Sequence, residues 1–132
     1  MAENPTSLSY DLVIVGAGPA GATCAFKLKD AGLKIAIIDK DVFPRDKICG
    51  DALSADVMNQ LLLMDPDIAD RFEQVVEKQA SQGIRFVAPS HQHLDIPFSP
   101  SPNGGAPGYV SKRKDFDKYL FDLIKDQDGI DV

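Results

Sequence analysis

One stretch limits the choice of fold more than any other: residues 11–39, DLVIVGAGPAGATCAFKLKDAGLKIAIID. An apolar run leads into Gly16-Ala17-Gly18-Pro19-Ala20-Gly21, and a helical pattern follows. After Gly32 a second apolar run ends at Asp39. Strand, glycine turn, helix, strand and acid, in that order, make a βαβ unit suited to a dinucleotide. Gly16 allows the tight turn out of the strand. Gly18 has no Cβ, so backbone can approach a pyrophosphate, and Gly21 lets the helix pack closely on the strand, helped by the small Ala25. The helix opening at Pro19 and Ala20 offers N–H groups and a partial positive charge. Pro19 loses nothing there, because a first-turn N–H has no helical partner in any case. Asp39, 18 residues after Gly21, ends the second strand where its carboxylate can accept hydrogen bonds from a ribose diol. The same charge disfavours a 2′-phosphate.

Composition narrows the class of protein without naming it. At 132 residues, 44% of them hydrophobic, the chain can bury one modest core. A net charge of −6 argues against nucleic acid and against a polybasic membrane anchor. Peripheral membrane contact through an apolar patch is left open. The opening MAENPTSLSYD has neither the basic nor the apolar region of a signal peptide, and the longest apolar stretch is broken by glycines and Pro19. Cys24 and Cys49 fall in different elements and suggest no disulfide framework, so a reducing cytoplasm is the expected compartment. Cys24 is expected in the core, and Cys49 as a packed or idle thiol rather than a redox centre. Oligomeric state is not fixed by any of this.

Periodicity predicts a first strand over residues 11–15, a helix over 19–31 stopped by Gly32, and a second strand over 34–38 that is apolar on both faces. Residues 40–52 have no clean period and read as loop. Val57, Leu61, Leu62 and Met64 set a helix from Ser54 that ends before Asp65-Pro66, and another helix is expected over 67–78. The period then falls to two, giving strands over 84–87 and 94–98 around the turn Pro89-Ser90-His91. A Pro/Gly/Ser-rich loop over 99–108 precedes a short strand at 109–111. A helix over 114–126 carries Phe116, Leu120, Leu123 and Ile124 on one face, and 129–132 begins a further strand. A strand opening at the last residues expects a neighbour, so the chain reads as the first part of a larger fold, whether a truncated product or a fragment. His91 and His93 have only Asp95 near them, too few ligands for a metal. No catalytic triad or carboxylate pair can be argued, and the catalytic residues are not identified.

Residues 43–53, FPRDKICGDAL, placed after that glycine unit, resemble the geranylgeranyl reductase family of flavoproteins. The family belongs to the class typified by para-hydroxybenzoate hydroxylase, which also includes flavin-dependent halogenases. YVSKRKDFDKYLFDLI is similar to the class's V-x-R-x-x-F-D-x-x-L stretch, with Arg113, Phe116, Asp117 and Leu120 at matching positions. The resemblance implies FAD, with Gly16, Ala17, Gly18, Pro19, Ala20 and Gly21 around the pyrophosphate and Asp39 and Lys40 at the adenosine ribose. It further implies Arg45 near the phosphates, Cys49, Gly50 and Asp51 toward the isoalloxazine, and Arg113 supporting the cofactor from a returning helix.

The fold implied is α/β: a Rossmann-like FAD/NAD(P)-binding βαβ sheet with the start of an inserted antiparallel substrate-domain sheet. Residues 10–79 would hold the cofactor-binding unit and helices, 80–111 the start of the insertion, and 112–132 a return helix and strand. The activity implied is that of an FAD-dependent oxidoreductase reducing carbon–carbon double bonds of an isoprenoid lipid or other small molecule, recharged by NAD(P)H or another donor. The family's later Asp-Gly and Gly-Asp segments have no counterpart in these residues. Two other readings stay open: a flavin-dependent monooxygenase or halogenase, and a non-catalytic dinucleotide-binding fragment. An NAD-binding dehydrogenase sharing only the glycine fingerprint is disfavoured by FPRDKICGD.

Overall fold

The computed structural model describes residues 8–49, 51–99 and 105–132. Gly50 and much of the expected loop over 99–108 therefore lie outside the described residues. In chain order the elements are β1 (Leu12–Val15), α1 (Pro19–Leu28), β2 (Ile35–Ile38), β3 (Ala52–Ser54), α2 (Ala55–Met64), α3 (Pro66–Val75), β4 (Gln79–Ala80), β5 (Gly83–Val87), β6 (His93–Pro97), β7 (Gly108–Val110), α4 (Arg113–Asp122) and β8 (Ile130–Asp131). They fall into two compact units, one up to Arg45 and again from Asp117, the other Asp46–Phe116, so the division passes through α4.

The first unit is built on a parallel sheet in the order β1-β2-β8, with Leu12 beside Ile35 and Ile35 beside Ile130. β2 is central, and Ile35, Ala36 and Ile37 are all buried. Burying a side chain such as Ile35 contributes about 1.5–3 kcal/mol. β1 has β2 on one side only, and its burial alternates, leaving Val13 and Val15 exposed. α1 buries Ala22, Ala25 and Phe26. That stripe puts Cys24 on the opposite side of the helix, where it is exposed, so the core position expected for it is wrong. α1 also ends at Leu28 rather than residue 31. The bonds Lys29 N–H to Phe26 O and Ala31 N–H to Leu28 O span three residues, tightening the chain out of α-helical geometry before Gly32. α4 behaves alike: Leu123 and Ile124 donate three residues back, so the helix stops at Asp122 instead of 126. Tyr10 donates to Asp131 at 2.8 Å and the Lys34 N–H donates to Asp11 at 2.8 Å, linking the residues that lead into β1 with β8 and with the residue before β2.

The second unit holds the antiparallel strands β3-β7-β4 and the hairpin β5-β6. β3 lies inside and just beyond the segment expected to be loop. Three residues are too few to display a period, and its order comes from pairing Leu53 with Tyr109. β4 was likewise not expected and pairs Gln79 with Val110. α3 starts cleanly, with Pro66 in its first turn and Asp65 accepting from the Asp67 N–H at 2.9 Å. It stops at Val75, three residues short of the expected end, because Lys78 folds back onto it. The Lys78 ammonium donates to the carbonyls of Phe72, Glu73 and Val76 at 3.0, 2.7 and 3.3 Å, capping the helix end, where the Phe72 carbonyl also accepts the Val76 N–H. Phe72, fully buried, meets Tyr109 and Phe116 edge-on at 6.2 and 5.9 Å. In the hairpin, Ile84 pairs with Ile96 and Phe86 with Leu94, while Arg85 faces Asp95 on the other side of the ribbon. No helix among the described residues is long and apolar enough to cross a membrane.

Candidate functional site

The glycine turn owes its shape to two backbone facts. Gly16 sits at φ +104°, a left-handed conformation that a side chain would strain, and its N–H donates to Ile38 O at 2.7 Å. A Cβ on Gly21 would stand 1.8 Å from the Gly16 carbonyl oxygen and 3.2 Å from Ile14 Cγ2. Only hydrogen fits there, so α1 lies directly against β1. Gly18 is the N-cap, with extended backbone and no side chain to close the helix end, and its carbonyl accepts from Ala22 N–H at 2.9 Å. Pro19 has no N–H to offer. The first-turn N–H groups of Ala20 and Gly21 have no helical acceptor and, with the helix dipole behind them, suit an anion.

Asp39 closes the other side of this turn. Its carboxylate accepts from the Ala17 N–H at 2.7 Å and from the Asp41 N–H at 2.9 Å. The Asp41 hydrogen bond, with those of Ala17 and Lys40 and the nearby Arg45 charge, holds the carboxyl below its ordinary range, against an opposing push from burial. Asp39 is thus ionised at neutral pH and braces the loop. Lys40 beside it is exposed.

Arg45 reaches the same turn from the segment after β2. One guanidinium nitrogen, Nη1, donates to Asp117 Oδ2 at 2.9 Å, and Nε lies 3.7 Å from Asp41. The Arg45 side chain is 13% exposed and that of Asp117 is 0% exposed. The guanidinium lies 4.9 Å from the centre of the Phe43 ring, which stacks on Phe121 at 4.6 Å. Nη2 is 3.3 Å from where a Cβ on Gly18 would be. N–H groups, guanidinium and carboxylate therefore border a single turn, a donor and acceptor set able to take a diphosphate joined to a diol.

The remaining expected residues belong to the Asp46–Phe116 unit. Cys49 is exposed. Asp51, at φ +55°, accepts the Arg113 N–H on its carboxylate at 3.3 Å and the Ser111 N–H on its carbonyl at 2.9 Å. Asp51 thus serves the N-terminus of α4, where negative charge is favoured. Arg113 is half-buried. Sequence reasoning missed the role of Asp117 as the partner of Arg45, although it singled out both. The available signal was an acid in register with the apolar positions Leu120 and Ile124 of an amphipathic helix.

The sequence pattern described as pyridine nucleotide-disulphide oxidoreductase matches residues 10–91. The chain belongs to that family. Geranylgeranyl diphosphate reductase of Rhodobacter capsulatus is 36% identical over 113 residues, 86% of this chain and 25% of its own length. A geranylgeranyl bacteriochlorophyll reductase-like protein of Thermoplasma acidophilum has a TM-score of 0.60 at 30% identity, covering 86% of this chain and 27% of its own. A variant of the halogenase PltM solved with FAD has a TM-score of 0.69 at 25% identity, covering 88% of this chain and 26% of its own. The family fold and the likeness to geranylgeranyl reductases are thereby established. The chain spans 25% of the length of the Rhodobacter relative.

Proposed function

We propose that the chain binds FAD and forms the cofactor-holding part of an oxidoreductase that reduces a carbon–carbon double bond of an isoprenoid group. One observation carries the cofactor reading: the turn at Gly16–Gly21, where a Cβ on Gly21 has no room and one on Gly18 would meet Arg45. FAD suits the groups bordering that turn. The Ala20 and Gly21 N–H groups and the planar fork of Arg45 would bind the diphosphate, since both present directed donors to phosphate oxygens. Asp39 would accept the ribose hydroxyls while keeping its bond to Ala17, and its charge would repel a 2′-phosphate, which disfavours NADP in this pocket. Lys40 would flank the ribose, Cys49, Gly50 and Asp51 would serve the isoalloxazine side, and Arg113 would support the cofactor from its helix.

When bound, the flavin supplies the hydride chemistry, and the protein supplies position, electrostatics and exclusion of water. An isoprenoid substrate is supported by the similarity to the Rhodobacter and Thermoplasma reductases. NAD(P)H as electron donor and a cytoplasmic location with peripheral contact to lipid belong to the same proposal. A flavin-dependent halogenase is the second reading, favoured by the TM-score of 0.69 with PltM.

Titration of FAD into the purified chain tests the cofactor. Retained yellow colour, with absorbance near about 450 nm, is expected for the wild type. Gly18→Val should abolish it while circular dichroism stays native, and unchanged uptake would sink the reading. Flavin reduction by NAD(P)H that responds to a geranylgeranyl substrate favours the reductase. Halide-dependent turnover with oxygen favours the halogenase, and binding without reduction favours a non-catalytic module.

A further inference from the structure

We infer that Asp117 is a positioning residue: it turns the Arg45 guanidinium so that one nitrogen is held by the protein and another faces the diphosphate at the glycine turn. This rests on the cofactor reading above. The three nitrogens of Arg45 face three directions. Nε lies 3.7 Å from Asp41, Nη1 is 2.9 Å from Asp117, and Nη2 is 3.3 Å from the empty Cβ position of Gly18. The Phe43 ring covers one face of the fork, with its centre 4.9 Å from the guanidinium carbon. A planar group hydrogen-bonded at Nη1, with a carboxylate 3.7 Å from Nε and a ring over one face, has little rotational freedom left, so Nη2 is aimed before any ligand arrives. Such aiming removes a reorganisation cost from binding.

The charges support direction over attraction. Asp117 is completely buried, and a buried carboxylate is costly unless paired and hydrogen-bonded. Its cation is the one that borders the glycine turn. With Asp117 and Asp41 both beside it, the Arg45 charge is already balanced. What Arg45 adds for a phosphate is a directed hydrogen bond, and Asp117 sets the direction. Lysine at position 45 would keep the charge and lose the fork.

Calorimetric titration of ADP and of adenosine, each into wild type, Asp117→Asn, Arg45→Met and the double variant, tests this. Asp117→Asn should weaken ADP binding by about ten-fold, the scale of one hydrogen bond to a charged group, and leave adenosine unchanged. Arg45→Met should weaken ADP at least as much, and adding Asp117→Asn to it should cost nothing further. Arg45→Lys should not restore ADP affinity. Equal losses for ADP and adenosine, or additive losses in the double variant, would overturn the inference by making Asp117 merely structural. Should Asp117→Asn not fold, Asp117→Glu takes its place, because a carboxylate displaced by one methylene must give the same ADP-selective loss. Wild type that binds neither ligand overturns the cofactor reading as well. Wild type that binds ADP, with Asp117→Asn unchanged, overturns this inference alone.

Discussion

The glycine-turn region and the β5-β6 hairpin each contain an arginine–aspartate pair with similar short contacts. Arg45 meets Asp117 at 2.9 Å, and Arg85 meets Asp95 at 2.6 and 2.9 Å. By contact geometry the hairpin pair is the better one, since it is bidentate. Surroundings reverse the ranking. Arg85 and Asp95 are 63% and 51% exposed, so water and salt compete with every bond they make. Arg45 and Asp117 are 13% and 0% exposed, so water competes far less for their bond. A distance alone therefore does not measure an interaction. The alternative open to each charge does.

The largest expected effect breaks the glycine-turn region outright. Gly21→Ala puts a Cβ 1.8 Å from a backbone oxygen that has little freedom to move. Loss of about 4 kcal/mol or more is expected, read as a collapse of the thermal transition. Next comes the direct comparison of pairs. Asp117→Ala should destabilise by about 3–5 kcal/mol, because Arg45 is left with the looser Asp41 contact at 3.7 Å. If chemical denaturation finds Asp117→Ala and Asp95→Ala equal, the contrast between the two regions is wrong.

Gly18→Ala sharpens the picture at smaller cost. The new methyl would lie 3.3 Å from the flexible end of Arg45, which can yield. Stability should change little, while ADP affinity falls about ten-fold as the fork is displaced. A further test uses pH in the hairpin's own unit. Burial, followed by the Glu73 hydrogen bond, raises the Tyr109 phenol above its ordinary value of 10.0. A raised folded value means that stabilisation is full below pH 10 and drains away as pH climbs through the folded value. Tyr109→Phe should flatten that alkaline decline in melting temperature; an unaltered decline would assign it to other groups. The smallest effect is that of Asp95→Ala, for which no resolvable shift in melting temperature is expected.

How much was legible in the sequence follows from the range of each constraint. The turn at Gly16–Gly21 could be read because every residue that shapes it lies within one βαβ unit, and Ile14, Gly16 and Gly21 meet as their spacing requires. Strands 84–87 and 94–98 were legible for the same local reason, each being found within one residue. Helix ends were less so, since the stop of α3 depends on Lys78, a residue that looked helical but serves better as a cap. Cys24 was misjudged because composition favours burial of cysteine, whereas the stripe Ala22, Ala25 and Phe26 decides which side of α1 is inside. Asp117 was visible as a motif position, but its partner is 72 residues away. No local pattern encodes such a pairing.

The Lys78 amine has one further consequence. Its side chain is 8% exposed and its ammonium donates to three carbonyls with the Glu73 carboxylate 3.5 Å away, and the Phe72 and Tyr109 rings lie at 4.9 and 5.5 Å. An acylating reagent should consume surface lysines such as Lys112 and Lys118 well before this one. Mass spectrometry of its slow acylation then becomes a clock for the opening of the last turn of α3, readable at a single site in the intact chain.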